Sequence, residues 1–139
     1  DHIEYYGNGQ IKIKGFIKNK EKHSLWSYYD REGHLLVERY FSYGKPSNIW
    51  IWYDHHNHGI DHYTIYTNNR DDGFLKRFYR SSNTKEEKNY SSNKLNGSYK
   101  LFYDNLKNSI QIKGSYKSGV KIGNWESFNE KEQFQDLID

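Results

Sequence analysis

The segment from Tyr53 to Tyr63, YDHHNHGIDHY, holds the densest group of side chains that could take part in chemistry. Its imidazoles and carboxylates belong to His55, His56, His58, His62, Asp54 and Asp61. Imidazoles and carboxylates bind divalent metals where they converge on one point, but side chains alternate between two faces along a strand. We therefore favour a solvated hairpin turn over residues 54–59 and expect no metal site. The remaining interpretation is a loop that contacts a partner, because binding residues gather on loops carried by rigid scaffolds.

Catalytic signatures are missing elsewhere in the chain. The sequence has no cysteine, and it contains no G-x-S-x-G nucleophile motif, no HExxH zinc motif and no P-loop. Pairs of His and Asp occur, but such a pair without a nucleophile is not a mechanism. The sequence predicts a protein that is not an enzyme, with no catalytic residues and no cofactor.

The composition indicates which elements must position these side chains. Aromatic residues make up 18% of the 139 residues, and the chain contains neither Ala nor Met. Strong helix formers are therefore scarce and good strand formers abundant. A mean hydropathy of -1.16 is low, but disordered chains lack aromatic and β-branched residues. We expect one folded all-β domain with a thin core.

A repeat organises the predicted strands. An apolar or aromatic residue is followed by a second one nine positions later and by a third one three positions after that, and copies of this figure start 24, 25, 24 and 26 residues apart. The five copies are Ile17, Trp26 and Tyr29; Phe41, Trp50 and Tyr53; Tyr66, Leu75 and Phe78; Tyr90, Tyr99 and Phe102; and Tyr116, Trp125 and Phe128. A partial copy begins at His2 and Tyr5. The recurrence predicts an elongated single-layer antiparallel β-meander of roughly ten strands, built from about five β-hairpin repeats of 24–26 residues over residues 1–128.

Small residues recur at two positions of the repeat. Three positions after each first member stand Lys20, Gly44, Asn69, Asn93 and Gly119, and two positions before each second member stand Ser24, Asn48, Gly73, Gly97 and Gly123. Gly and Asn tolerate a positive φ, so both sets are predicted to be turns. Lys20 is the exception in the first set, and the sequence does not specify a turn there.

The spacing within a copy predicts two aromatic ladders. Residues three apart on a regular strand point to opposite faces, so the second and third members should lie on the two sides of the sheet unless a bulge intervenes. Residues 129–139 form an acidic cap or tail beyond the last copy. There, the spacing of Phe134, Leu137 and Ile138 fits a short capping helix as well as a frayed end.

The repeat resembles the MORN repeat, in the divergent bacterial variant. The closest copy is SYKSGVKIGNWESFNEK at residues 115–131, the next is NYSSNKLNGSYKLFYDN at residues 89–105, and EYYGNGQIKIKG at residues 4–15 supplies a hairpin half. The pattern weakens between Ile49 and Arg80. The resemblance implies a β-hairpin scaffold, and in bacteria it is similar to a family described as antitoxins or immunity proteins.

Partner-binding candidates are the residues that the repeat does not require. Trp52 has no aromatic counterpart in most copies, and Trp is a common interface anchor. Packing within the sheet is the alternative interpretation for Trp52. Tyr63 and the His-rich segment complete the predicted surface. Asp71 and Asp72, with Glu86, Glu87 and the tail, are candidates for a patch that would face a basic toxin.

Two functions follow as hypotheses. The first is a protein-binding antitoxin or immunity protein that covers the active site of a cognate toxin. The second is a structural MORN scaffold that binds membrane lipid or envelope partners. Nucleic acid is not favoured, because the net charge is only +3 and the basic residues are spread over every copy. Because the chain starts at Asp1 without Met, we expect sequence upstream of it, and the choice between the cytoplasm and the bacterial cell envelope stays open, as does the oligomeric state.

Overall fold

The computed structural model describes residues 1–67 and 72–138, and every regular element in these residues is a β-strand. The strands, in chain order, are β1 (His2–Tyr5), β2 (Ile11–Lys18), β3 (Glu21–Tyr29), β4 (Leu35–Ser42), β5 (Lys45–Tyr53), β6 (Ile60–Tyr66), β7 (Gly73–Phe78), β8 (Thr84–Ser91), β9 (Lys94–Phe102), β10 (Ile110–Lys117), β11 (Val120–Phe128) and β12 (Phe134–Ile138).

The strands form one antiparallel sheet in which each strand pairs with its neighbours in sequence. This confirms the predicted all-β, single-layer antiparallel meander. Because no second layer covers the sheet, few side chains are fully enclosed. Among the apolar residues in the described ranges, Trp26, Phe102 and Trp125 are the most buried, at 3%, 8% and 4% exposure.

The C-terminal segment is a strand and not a helix. Phe134–Ile138 forms β12, in which Leu137 lies opposite Glu126 of β11. Both predicted alternatives for this segment, a short capping helix and a frayed end, are wrong, because the unpaired backbone groups of β11 recruit the segment as a further ladder partner. This strand and β1, which belongs to the partial first copy, raise the number of strands in the described residues to twelve instead of about ten.

The second and third members of each copy lie on opposite faces, as strand alternation predicts. We call the side that carries Trp26, Trp50, Leu75, Tyr99 and Trp125 the tryptophan face. There the Trp50 ring lies 5.2 Å from the Phe41 ring and 5.5 Å from the Tyr66 ring. On the opposite face, the hydroxyl of Tyr53 donates to Glu38 at 2.7 Å.

Three tryptophans are anchored to the backbone in the same way. Trp26, Trp50 and Trp125 each donate the indole Nε1–H to the carbonyl of the residue ten positions earlier. The acceptors are Phe16, Tyr40 and Ser115, at 3.0, 2.8 and 3.2 Å. The rings of Trp26 and Trp125 cross directly over Gly15 and Gly114, where a Cβ atom would lie 2.2 Å from a ring carbon. A side chain at these two glycines would displace the indole.

The small residues before the second members form bulges and not turns. Ser24, Asn48, Gly97 and Gly123 have φ values of 63°, 56°, 97° and 64° within their strands, beside shifts in the pairing register. The prediction of turns at these positions is wrong, because a bulge can require the same positive φ as a turn. The other set does form turns where it is described, and Lys20 adopts φ 66° although it is neither Gly nor Asn.

The third copy departs from this geometry. β6 and β7 pair without a register shift, and a Cβ on Gly73 would lie 2.3 Å from the Ile65 carbonyl oxygen. Leu75 stands where other copies carry a ring, and a surface cavity of about 270 Å³ lies there, with Thr64 and Tyr90 among its lining residues. Asn69, predicted to lie in the turn of this hairpin, is outside the described residues.

Candidate interaction surface

Trp52 lies on the tryptophan face in the middle of the sheet. Its ring is 6.0 Å from that of Trp50, and it stacks on His62 of β6 at 4.4 Å with an interplanar angle of 13°. Trp52 is half-buried. Within the described ranges its Nε1–H has no hydrogen-bond acceptor, in contrast to the other three tryptophans. Trp52 is therefore a packed ring with an unused donor, which suits an interface anchor.

His62 is oriented by its neighbour Asp61. Asp61 is the extra residue of a bulge, since Trp52 pairs with His62 whereas Tyr53 pairs with Ile60. The Asp61 Oδ2 lies 2.6 Å from the His62 Nδ1, so the carboxylate accepts the Nδ1–H and fixes the ring against Trp52. The His62 side chain is 22% exposed, and its Nε2 is the ring nitrogen left for a partner.

Arg39 belongs to this surface, although the sequence analysis did not single it out. Its guanidinium carbon lies 5.1 Å from the Tyr28 ring centroid and 4.8 Å from that of Trp50. The Nε atoms of Arg39 and of Arg77 on β7 are buried without a hydrogen-bond partner. The repeat contains a signal that distinguishes Arg39. Arg39 stands two positions before the first member of its copy, and the equivalent residue of the preceding copy is Gly15, which makes room for a ring.

The other three predicted histidines lie in the turn between β5 and β6, away from His62. The rings of His55 and His56 are 4.1 Å apart. His58 instead stacks on His34, which lies in the turn between β3 and β4, with a centroid distance of 3.9 Å and an interplanar angle of 13°. The structure thus divides the predicted histidine group between the turn, which holds His55, His56 and His58, and the tryptophan face, which holds His62.

This turn is internally hydrogen-bonded and tied to the next one. The Asp54 Oδ1 accepts the backbone N–H groups of His56 and Asn57, at 2.7 and 3.1 Å. The Asn57 side chain donates to the Arg80 carbonyl at 2.9 Å, and Arg80 Nε lies 3.5 Å from Asp54 Oδ2. The two backbone hydrogen bonds, with help from the charge of Arg80, lower the pKa of Asp54.

Tyr63 lies on the opposite face of the sheet from His62. Its ring centroid is 5.9 Å from that of Phe78 and 6.4 Å from that of Phe74. Burial, together with the charge of Glu87, raises the pKa of Tyr63. Tyr63 therefore cannot contact a partner together with Trp52 and His62.

Asp72 lies at the other end of the strands, next to the start of β7. Its Oδ1 accepts the backbone N–H of Ser92 at 2.7 Å, which joins this segment to the turn between β8 and β9. Asp71, the second predicted acid, is outside the described residues. Asp72 is thus far along the strands from the histidine turn, and the structure does not bring the two together.

The adjacent acids Glu86 and Glu87 point to opposite faces. Glu86 accepts the Tyr99 hydroxyl at 2.7 Å and lies 3.4 Å from Lys88 Nζ on the tryptophan face. Burial acts to raise the pKa of Glu86, but the hydroxyl and the nearby cations prevail and lower it. Glu87 lies 3.9 Å from Lys76 Nζ on the opposite face. Both acids are engaged within the sheet and do not form a shared patch.

One group with metal-ligating atoms was missed by the sequence analysis. Asp30, Glu32 and His34 place one ligand atom each within 4.8 Å of one another. Asp30 Oδ1, however, accepts the backbone N–H groups of Glu32 and His34 at 2.9 and 2.8 Å, and Asp30 Oδ2 lies 3.1 Å from His34 Nδ1. Capping of the turn accounts for this grouping.

Comparisons with known proteins leave the surface itself as the basis for a functional argument. Neither the scan against protein-family models nor the search of curated proteins finds a match for this chain. The described residues include no helix that could cross a membrane.

Proposed function

We propose that the chain is a non-enzymatic protein-binding module, most specifically an antitoxin or immunity protein of the divergent MORN-repeat kind that covers the active site of a cognate toxin. The tryptophan face around Trp52 and His62 is the proposed contact. The observation that carries the proposal is the unused indole donor of Trp52, on the one tryptophan that the repeat does not require.

The surroundings of Trp52 support a preorganised contact. The ring is held by His62 on one strand and approached by Trp50 on its own strand, and Asp61 fixes the imidazole. Half-buried aromatic side chains with few accessible rotamers lose little entropy when a partner covers them. A ring of this kind is typical of an interface hot spot.

The experiment is capture of a partner from the source organism, followed by a functional assay. A stoichiometric protein partner is purified, and its activity is measured with and without the tagged chain. We expect the chain to abolish a toxic enzymatic activity of that partner. Recovery of lipid or envelope components alone would contradict the antitoxin proposal and favour the structural scaffold.

The variants locate the contact. Trp52→Ala is expected to weaken partner binding by about 2 kcal/mol, roughly thirtyfold, as for other hot-spot aromatics. Leu101→Ala is the matched control, because Leu101 occupies the same repeat position on the tryptophan face of the fourth copy. Unchanged binding by Trp52→Ala and by His62→Ala would contradict the proposed surface.

A further inference from the structure

On the tryptophan face over β3 and β4, Lys22 and Arg39 contact rings and form no ion pair with a described residue. Arg77 of β7 lies on the same face but stands directly opposite Glu86 of β8. Glu38, next to Arg39 in sequence, points to the opposite face, where it accepts the hydroxyl of Tyr53. Asp61 is in the bulge, bonded to His62. The part of this face around Arg39 is therefore positively charged.

Arg39 is the best-defined cation of the face. Its guanidinium carbon lies over two aromatic neighbours, 5.1 Å from the Tyr28 centroid and 4.8 Å from the Trp50 centroid. It forms no ion pair or hydrogen bond with another described side chain, and its Nε is buried. A guanidinium presents five donors in a rigid fork, and a partly desolvated cation without an acceptor is costly. The pre-oriented fork fits an acceptor that is supplied from outside the chain.

The same contacts indicate the chemistry of that acceptor. Three rings that could stack on nucleobases are each occupied on one side: Arg39 lies over Trp50, Lys22 Nζ lies 4.6 Å from the Trp26 centroid, and His62 stacks on Trp52. Binding of single-stranded nucleic acid relies on free aromatic platforms. What the face offers instead is N–H donors held above rings, which match carboxylates.

We propose that the tryptophan face over β3–β7 binds an acidic segment of a protein partner, whose carboxylates accept hydrogen bonds from the guanidinium of Arg39. This inference rests on the proposed protein-binding function and names the chemistry of the partner. Trp50 and Tyr28 position the guanidinium, and Lys22 extends the positive surface on the side of β3.

The test is titration of the purified chain with fluorescently labelled poly-L-glutamate at low ionic strength, followed by anisotropy. Saturable binding is expected, with a loss of about tenfold to a hundredfold in Arg39→Gln, because hydrogen bonds to charged groups contribute about 1.5 to 3 kcal/mol. Arg39→Lys should recover only part of the affinity, since it keeps the charge but loses the fork. Lys94→Gln, which removes one exposed positive charge at the start of β9, is the matched control and should bind as the wild type does.

Several outcomes would overturn the inference. These are no saturable binding by the wild type, an equal loss in Lys94→Gln, or tighter Arg39-dependent binding of an oligothymidylate, which would assign the face to nucleic acid. Circular dichroism and the thermal midpoint establish that Arg39→Gln is folded. If it is not folded, Lys22→Gln replaces it with the same expectation.

The partner captured from the source organism separates this inference from the proposed function. If Trp52→Ala releases that partner while Arg39→Gln retains it, the acidic-segment inference fails and the protein-binding function stands. If neither variant affects the partner, the acidic-segment inference fails, and so does the assignment of the contact to the tryptophan face.

Discussion

At the scale of single residues, two glycines determine where the anchoring indoles can lie. Gly15 and Gly114 are the points at which Trp26 and Trp125 pass over the neighbouring strand, and each indole donates to a carbonyl one residue beyond its glycine. The absence of a side chain permits the close ring contact, whereas the hydrogen bond also forms beside Arg39, where Trp50 donates to Tyr40.

We predict that Gly15→Ala and Gly114→Ala each lower the free energy of unfolding by about 1 to 3 kcal/mol, the usual cost of overpacking. The new methyl group would lie 2.2 Å from a ring carbon, so the indole must move away from the strand that it now covers. Urea denaturation monitored by tryptophan fluorescence measures the change. Gly7→Ala is the control, because a Cβ at Gly7 would meet no atom within 4 Å. Equal stability of all three variants would contradict this account of the glycines.

At the scale of elements, one repeat position stabilises the turns that follow the third member of each copy. This position is the residue directly after the third member. Asp30, Asp54 and Asn129 each accept backbone N–H groups of their own turn. At the same position, Tyr79 and Tyr103 instead donate the hydroxyl to a carbonyl at the end of the next hairpin, at 2.7 and 2.8 Å. The turns are therefore joined to one another as well as closed individually.

We predict that the Asp54 cap makes stability depend on pH in the acid range. The pKa of Asp54 is lowered in the folded state from its ordinary value of 3.8, so its contribution is fully present above the unfolded pKa and is lost as the pH falls through the folded pKa. Asp54→Asn should keep the backbone acceptor, as Asn129 does naturally, and should flatten the decrease in stability below about pH 4. The measurement is the urea midpoint as a function of pH. The same acid slope in the variant and the wild type would contradict the prediction.

At the scale of the whole molecule, stability is the sum of contacts between neighbouring hairpins, because the sheet has a single layer and each strand pairs only with adjacent strands. The third copy is the weakest by this measure. It lacks the anchored indole and the bulge, and a cavity of about 270 Å³ lies beside Leu75.

We predict that backbone amides of β6 and β7 exchange with solvent faster than those of β3 and β4 in hydrogen-exchange mass spectrometry. Local opening is easiest where buried apolar contact is least. Leu75→Tyr restores the ring that Tyr99 supplies in the next copy, and filling the cavity should stabilise the pair by about 0.5 to 2 kcal/mol and slow the exchange. Uniform exchange across these four strands would show that the third copy is not a weak point.

The sequence by itself determined the architecture of the sheet, because a β-hairpin is specified by turn residues and alternation within one repeat. Spacing alone determined the period of 24 to 26 residues and the turns that follow the third member of each copy. It also determined that Trp50 and Tyr53 lie on opposite faces. The function does not follow from spacing in this way, and the MORN resemblance stays a prediction.

Tertiary structure decided what the spacing left undetermined, because side-chain neighbours depend on the register between strands and on bulges. Ser24 is a bulge and Lys20 a turn although both have a positive φ, since the paired strand determines which of the two forms. The same pairing separates His62 from Tyr63 and sets Arg39 between rings contributed by two neighbouring strands. Even the tail became a strand through the open edge of β11, a partner that its own spacing cannot encode.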